Sequence, residues 1–169
     1  MDILHRCHAR FLGDPLSVEI RAATVDAYVL RRVADRWEVL LLERAEGTRC
    51  TGAWEVVHGR VEDGELPEAA AEREVREETG LTIERLYTIS VQPFYLPNSS
   101  TITMAVVFAA VVRDGALALG SEHARFEWLA FRDAIERVAW PRSRTALAEI
   151  DMLLRHGDAG AVEDVLRVR

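Results

Sequence analysis

The stretch GRVEDGELPEAAAEREVREETG, which runs from Gly59 to Gly80, decides the fold more than any other part of the sequence. It holds eight acidic residues and three arginines in a 169-residue chain whose net charge is −7. Pro67 suits the first position of a helix, and Gly80 suits the left-handed residue just past a helix end. The pattern therefore predicts a strongly acidic helix from Leu66 to Thr79.

Three glutamates of this helix, Glu74, Glu77 and Glu78, fall on one face at about 100° per residue. Carboxylates four residues apart repel one another, and a divalent cation would remove the repulsion by making each of them a ligand. Ligands that are all oxygen suit Mg²⁺ or Mn²⁺ better than Zn²⁺. Ala70 and Ala71 lie one turn earlier, and we expect them to leave room for metals and a phosphate chain.

A second hypothesis for the same residues is a solvated acidic face without metal. The pairs Glu72–Arg76 and Arg73–Glu77 have the spacing of ion pairs that support an exposed helix. The distribution of charge alone leaves both hypotheses open.

Around this helix, apolar runs predict strands and further helices. Strands are expected over 19–31, 37–42, 54–57, 83–94, 101–112 and 126–129, and helices over 131–138 and 141–154, with a last short helix after His156. Several strands, one helix and then more strands indicate an α/β fold with a mixed sheet covered by helices. We expect an N-terminal arm over 1–18, one domain over 19–155 and a C-terminal helical tail over 156–169.

Composition excludes several function classes. The net charge of −7 argues against a nucleic-acid polymer as partner, which would need a basic face. The chain has no lysine, so a phosphate-binding loop ending in Gly-Lys and Schiff-base chemistry are excluded. Cys7 and Cys50 do not form a thiolate metal motif. No signal peptide and no run of 18 apolar residues is present, so we expect a soluble, cytoplasmic protein without membrane contact.

The spacing of the acidic stretch is specific. Gly59 is followed by five residues and Glu65, then by seven residues and REVREETGL, which begins at Arg73. This resembles the Nudix hydrolase signature, GX5EX7REUXEEXGU with U aliphatic, at every specified position. The resemblance extends over roughly Glu19 to Leu154. It implies a Nudix α/β/α sandwich with a mixed sheet, and hydrolysis of a diphosphate linkage that depends on Mg²⁺ or Mn²⁺.

The resemblance also implies roles for the matching residues. Glu74, Glu77 and Glu78 would be metal ligands, together with the carbonyl of Gly59. Glu65 would support the loop or a ligand. Arg73 would orient one of the glutamates through a charge-assisted hydrogen bond.

The general base stays open between two residues. Glu74 is one candidate, on the helix. Glu122 is the other, because members of the family often carry a late catalytic glutamate before a strand such as the one expected at 126–129. We expect His123, its neighbour, to be structural or near the substrate rather than catalytic.

Substrate contacts are expected from residues outside the helix. Phe94 and Tyr95 precede a turn and offer stacking surfaces, and loops at strand ends often carry specificity. Arg60 could touch a polyphosphate, as could Arg142 and Arg144. His58 stands where many family members have a second glycine, so it could contact phosphate or simply pack.

The run WEVVHGRVE, from Trp54 to Glu62, is similar to bacterial dihydroneopterin triphosphate and deoxynucleoside triphosphate pyrophosphatases. This similarity implies a nucleoside or pterin triphosphate substrate, with pyrophosphate and a monophosphate as products. The alternatives are a hydrolase of nucleotide sugars or dinucleoside polyphosphates, and a non-catalytic module that senses a nucleotide. A homodimer is also expected, because dimers are frequent in the family.

Overall fold

The computed structural model of the chain describes residues 19–113 and 115–168. The arm expected over residues 1–18 lies outside them. The strands are β1 (Glu19–Val33), β2 (Arg36–Arg44), β3 (Trp54–Glu55), β4 (Val57–Arg60), β5 (Ile83–Leu96), β6 (Thr101–Val112) and β7 (His123–Ala130). The α-helices are α1 (Pro67–Thr79), α2 (Phe131–Arg137), α3 (Pro141–Leu154) and α4 (Glu163–Leu166). Two short 3₁₀ helices lie at Pro97–Ser99 and Gly160–Val162.

The seven strands of the described chain form one sheet in the order β3-β2-β1-β6-β5, with β4 also paired to β1 and β7 to β2. β1 and β6 run parallel and the remaining pairs are antiparallel, so the sheet is mixed. β1 pairs with β4 over Thr24–Ala27 and with β2 over Leu30–Val33.

Helices cover both faces of the sheet. Successive residues of a strand point to opposite sides, so alternate residues of β1 contact different helix layers. Val25, Ala27 and Val29 of β1 belong to the buried cluster that includes α1. Tyr28 and Leu30 belong to the cluster that includes α2 and α3. The expectation of an α/β/α sandwich with a mixed sheet is confirmed.

Helix α1 begins at Pro67, one residue later than expected, and ends where the sequence predicts. Gly80 adopts φ 70°, a left-handed conformation that glycine reaches without steric cost, and its N–H donates to the carbonyl of Arg76 at 2.9 Å. Ala70 and Ala71 are fully buried against the sheet. The expectation that they leave room for metals is wrong, because their small side chains let the helix pack closely on the strands.

The segment after α3 packs along β5. The N–H of Val168 donates to the carbonyl of Leu86 at 2.8 Å, and the hydroxyl of Tyr87 donates to Glu163 at 3.0 Å. The end of α3 itself is held by β2, where the indole N–H of Trp37 donates to the carbonyl of Leu154 at 2.7 Å. In the described part of the chain, no helix combines the length and the hydropathy needed to cross a membrane.

Packing of α3 on the sheet can be measured through Leu147, which is fully buried. We expect Leu147→Ala to lower the free energy of unfolding by about 2–5 kcal/mol, since it removes buried methyl groups and leaves a cavity. Urea denaturation measures the change. Met152 lies on the same helix and is 70% exposed, so Met152→Ala should stay within about 0.5 kcal/mol of wild type. Equal losses for the two variants would contradict this packing.

Candidate active site

A cavity of about 1040 Å³ lies where β1 and β4 meet the ends of α1 and α3. It draws side chains from both helix layers. It also takes residues from β5 and from the segments that precede β3 and β7. Most of the residues predicted from the sequence as site residues line it: His58, Gly59, Arg60, Glu74, Glu77, Glu78, Phe94, Tyr95, Glu122 and Arg142. Glu65, Arg73 and Arg144 do not.

Arg73 lies behind the cavity wall and organises the acidic residues. Its Nε and Nη2 each donate to one oxygen of Glu65 at 3.0 Å, and Nη2 also donates to the carbonyl of Arg60 at 2.8 Å. Its Nη1 donates to Glu74 at 2.8 Å and to Glu77 at 3.3 Å. These hydrogen bonds, those to Glu65 and Glu74 above all, raise the pKa of Arg73. The arginine therefore fixes the loop before α1 to the carboxylates of the helix.

Gly59 is needed because the side chain of Glu74 occupies the space beside it. A Cβ built on Gly59 would stand 1.9 Å from the carboxyl carbon of Glu74. No other residue fits without moving that carboxylate. The backbone of β4 and the acid of α1 therefore meet in direct contact.

Glu78 is a buried acid without a hydrogen-bond partner for Oε2. The nearest nitrogen is Nδ1 of His123, at 3.8 Å, which also lacks a partner. Burial raises the pKa of Glu78 to about 9, and the negative charges of Glu74, Glu55 and Glu122 add to the rise. An acid held in this way is a strong candidate for binding a cation.

Glu55, at the end of β3, links the loops around the cavity. It lies 3.4 Å from Nε2 of His123 and from Nη1 of Arg44, and the indole N–H of Trp140 donates to it at 3.3 Å. Burial opposes the ionisation of Glu55, but these hydrogen bonds and the charge of Arg44 hold its pKa below the ordinary value. His123 is buried, bonds to Glu55 and also lines the cavity, so its expected role, structural or near the substrate, stays a prediction.

Glu122 lies in the loop before β7 at the mouth of the cavity. Its side chain is 64% exposed, and Nη1 of Arg44 donates to it at 2.6 Å. The backbone N–H of Ala45 donates to its carbonyl at 2.8 Å. The loop is therefore fixed to the end of β2 while the carboxylate stays accessible.

The opposite side of the cavity is built around Asp26 of β1, which is fully buried. Nδ1 of His58 lies 2.6 Å from Oδ1 of Asp26, and the guanidinium of Arg142 bonds both carboxylate oxygens. His58 also meets the ring of Phe94 edge-on, with centroids 6.5 Å apart. Burial lowers the pKa of His58 in spite of the charges of Glu55 and Glu74.

Sequence reasoning missed Asp26, Glu55 and Arg44. Asp26 had a recognisable signal, because it is a lone charge inside the otherwise apolar run from Val25 to Leu30. Glu55 and Arg44 stand at strand ends, where a charged residue is common, so nothing in the sequence distinguished them.

The donor set fits a hard divalent cation. It consists of carboxylate oxygens and the carbonyl of Gly59, and one buried oxygen of Glu78 lacks a partner. Among residues 19–113 and 115–168, however, no three acidic, histidine or cysteine side chains already converge as metal ligands. Arg73 accounts for part of this, since it draws Glu74 and Glu77 toward itself.

The chain belongs to the NUDIX family, whose domain model matches residues 20–150. The putative nudix hydrolase 1 of Caenorhabditis elegans is 30% identical over 84% of this chain, and the human 8-oxo-dGDP phosphatase NUDT18 is 35% identical over 53% of it. The chain spans only 38% and 28% of these two proteins.

A solved structure shares the fold. The dihydroneopterin triphosphate pyrophosphohydrolase of Escherichia coli superposes with a TM-score of 0.64 at 22% identity, over 80% of this chain and 99% of the other. At this identity the likeness concerns the fold alone.

The buried acid predicts a pH dependence of stability in the absence of divalent cations. The pKa of Glu78 rises from 4.5 to about 9 on folding, so between these values the native state holds a proton that the unfolded state has lost. Stability contributed by this proton is complete below the unfolded pKa and is lost as pH rises toward 9. As pH rises, we expect the free energy of unfolding of wild type to fall by up to about 1.4 kcal/mol per pH unit relative to that of Glu78→Gln.

Urea denaturation in EDTA, repeated from pH 5 to 9, measures this difference. Glu136→Gln is the matched control, because Glu136 is an exposed glutamate on α2 and should give a constant difference from wild type. Parallel pH profiles for wild type and Glu78→Gln would contradict the raised pKa.

Proposed function

We propose that this chain hydrolyses a diphosphate linkage in a nucleoside triphosphate-like substrate with the help of Mg²⁺ or Mn²⁺. The substrate would be a deoxynucleoside or dihydroneopterin triphosphate, and the products a monophosphate and pyrophosphate. One observation carries the proposal: the buried, partnerless oxygen of Glu78 beside the Glu74 carboxylate that packs on Gly59.

Glu74, Glu77, Glu78 and the carbonyl of Gly59 would hold the cation. When bound, it would polarise a phosphate oxygen and lower the pKa of a water molecule. The protein's own part is positioning. Arg73 and Glu65 fix the loop that carries Gly59, and the hydrogen bonds from Arg73 set the orientation of Glu74.

We assign the general base to Glu122 rather than to Glu74. The carboxylate of Glu74 is confined between Gly59 and Arg73, whereas that of Glu122 is 64% exposed at the cavity mouth. Arg44 holds Glu122 toward the cavity that it lines. Glu122 can therefore accept a proton from an attacking water and return it to solvent.

Phe94, Tyr95, His58 and Arg60 would contact the substrate. Phe94 and His58 form one wall of the cavity, and Tyr95 is 52% exposed on the same strand. Arg60 is exposed at the end of β4, next to the acidic loop. A homodimer and a cytoplasmic location stay predictions of the sequence.

A second candidate is hydrolysis of a nucleoside diphosphate to a monophosphate and orthophosphate. Similarity to the 8-oxo-dGDP phosphatase NUDT18 supports it, since the 91 aligned residues are 35% identical. The two candidates require the same residues and differ in the length of the phosphate chain.

Phosphorus NMR separates these possibilities. Purified protein with Mg²⁺ is incubated with deoxynucleoside triphosphates, dihydroneopterin triphosphate, 8-oxo-dGDP, nucleotide sugars and dinucleoside polyphosphates. We expect pyrophosphate from a triphosphate, and no turnover in EDTA. Orthophosphate from a diphosphate alone supports the second candidate. A nucleoside monophosphate and a sugar phosphate from a nucleotide sugar, or two nucleotides that share all the phosphates of a dinucleoside polyphosphate, support the corresponding alternatives.

Calorimetric titration with Mn²⁺ checks the metal site independently of the substrate. Binding by wild type that is lost in Glu77→Gln supports it. Equal binding of Mn²⁺ by both proteins, or no binding by wild type, would overturn the metal site. In a separate measurement, binding of nucleotide without any turnover would indicate a sensing module.

The assignment of the base has its own test. We expect Glu122→Gln to lower kcat by about tenfold or more, because Gln is similar in shape but cannot accept the proton. Steady-state kinetics with the best substrate measures it. Glu127→Gln, on β7 nearby and outside the cavity, is the control. Near-normal turnover of Glu122→Gln would move the role to the helix.

A further inference from the structure

Asp26 is a buried carboxylate. Its hydrogen bonds to His58 and Arg142 lie on the side of the cavity away from α1. It faces His58 directly across the β1–β4 pair. Its exposed fraction is 0%, and among residues 19–113 and 115–168 it forms ion pairs with His58 and Arg142. Arg142 is the second residue of α3 and comes from the opposite end of the sequence, 116 positions away.

This pairing changes what Arg142 can bind. A guanidinium donates its hydrogen bonds in the plane of the group, and two of its nitrogens, Nη1 and Nη2, point at Asp26. The positive charge is compensated by a buried negative charge. Arg142 is therefore poorly suited to hold a polyphosphate, which is the role that the sequence suggested for it.

The faces of the guanidinium have a different use. Its Cζ lies 4.7 Å from the centroid of Phe94, so one face rests on that ring. The side chain is 20% exposed and lines the cavity. Asp26 bonds the edge of the guanidinium and Phe94 lies over one face, so the second face is the part of the group that is left for a ligand in the cavity.

We propose that Arg142 is a specificity residue whose open face stacks on the planar heterocycle of the substrate, and that Asp26 is the positioning residue that holds it there. The inference rests on the proposed function in one respect, the class of ligand. This class is a compound that contains both an aromatic heterocycle and a phosphate. Planar guanidinium groups stack well on aromatic rings, whereas an ammonium group lacks the planar face. Phe94 then supports the guanidinium from the other face, in addition to the substrate contact proposed for it.

Two probes isolate the stacking contribution. Guanosine monophosphate and ribose 5-phosphate share a ribose and a phosphate, and only the first carries a heterocycle. Binding of each is measured by NMR titration, which covers weak affinities. For Arg142→Lys we expect about tenfold weaker binding of guanosine monophosphate and unchanged binding of ribose 5-phosphate.

Arg144→Lys is the matched control. Contrary to the phosphate contact expected from the sequence, Arg144 lies on the same helix outside the cavity, where it donates to the carbonyl of Val138 at 3.4 Å. We expect both probes to bind this variant as they bind wild type. An unchanged affinity of Arg142→Lys for guanosine monophosphate, an equal loss for the two probes, or a wild type that does not prefer guanosine monophosphate overturns the inference.

The positioning role of Asp26 is tested by a double-mutant cycle. Asp26→Asn should selectively weaken the binding of guanosine monophosphate. The double variant, Asp26→Asn with Arg142→Lys, should bind guanosine monophosphate no more weakly than Arg142→Lys alone. Additive losses, or a loss for ribose 5-phosphate as well, would show a structural role only. If wild type selects the heterocycle through Arg142 but hydrolyses none of the proposed substrates, the inference stands and the proposed function fails.

Discussion

The contact between Gly59 and Glu74 constrains the rest of the site. Gly59 of β4, which has no side chain, meets the carboxylate of Glu74 there. Glu74 belongs to α1, a helix that carries several acidic residues. Arg73 makes the contact stable, because one guanidinium satisfies oxygens of Glu65, Glu74 and Glu77 together with the carbonyl of Arg60. An ammonium group has three donors and no fixed fork, so it could not reach the same set of acceptors.

One acid of the helix face, Glu78, receives no hydrogen bond from Arg73. Glu78 lies beyond its hydrogen bonds and keeps an oxygen buried without a partner. A buried polar atom of this kind costs stability, typically about 1–3 kcal/mol, and folded proteins concentrate such costs at functional sites. The same helix therefore contains two acids that are already bonded to arginine, Glu74 and Glu77, and one acid with a buried oxygen that has no partner, Glu78.

Local features of the sequence were sufficient for the fold and for the acidic half of the cavity. Pro67 and Gly80 bound α1 through backbone preferences that act within a few residues, and the strand and helix runs on either side have clear hydrophobic patterns. The other half could not be predicted in this way. The pairs Asp26–Arg142 and Glu55–His123 join residues 116 and 68 positions apart, and only the order of strands in the sheet brings them together. Ala70 and Ala71 show the opposite error, since helical spacing gave their direction without showing that the sheet already fills that space.

The two halves are coupled by adjacent residues of one strand. Side chains alternate along β4, so His58 turns to Asp26 and the α3 layer while the next residue, Gly59, faces Glu74 and the α1 layer. A shift of β4 along β1 would therefore disturb both sides of the cavity at once. The register Val25↔Gly59 and Asp26↔His58 resists such a shift, because moving the strand by one residue would place His58 against the carboxylate of Glu74 and leave the charge of Asp26 buried with one partner fewer. The register of one strand pair thus fixes the acidic side and the Asp26 side of the cavity together.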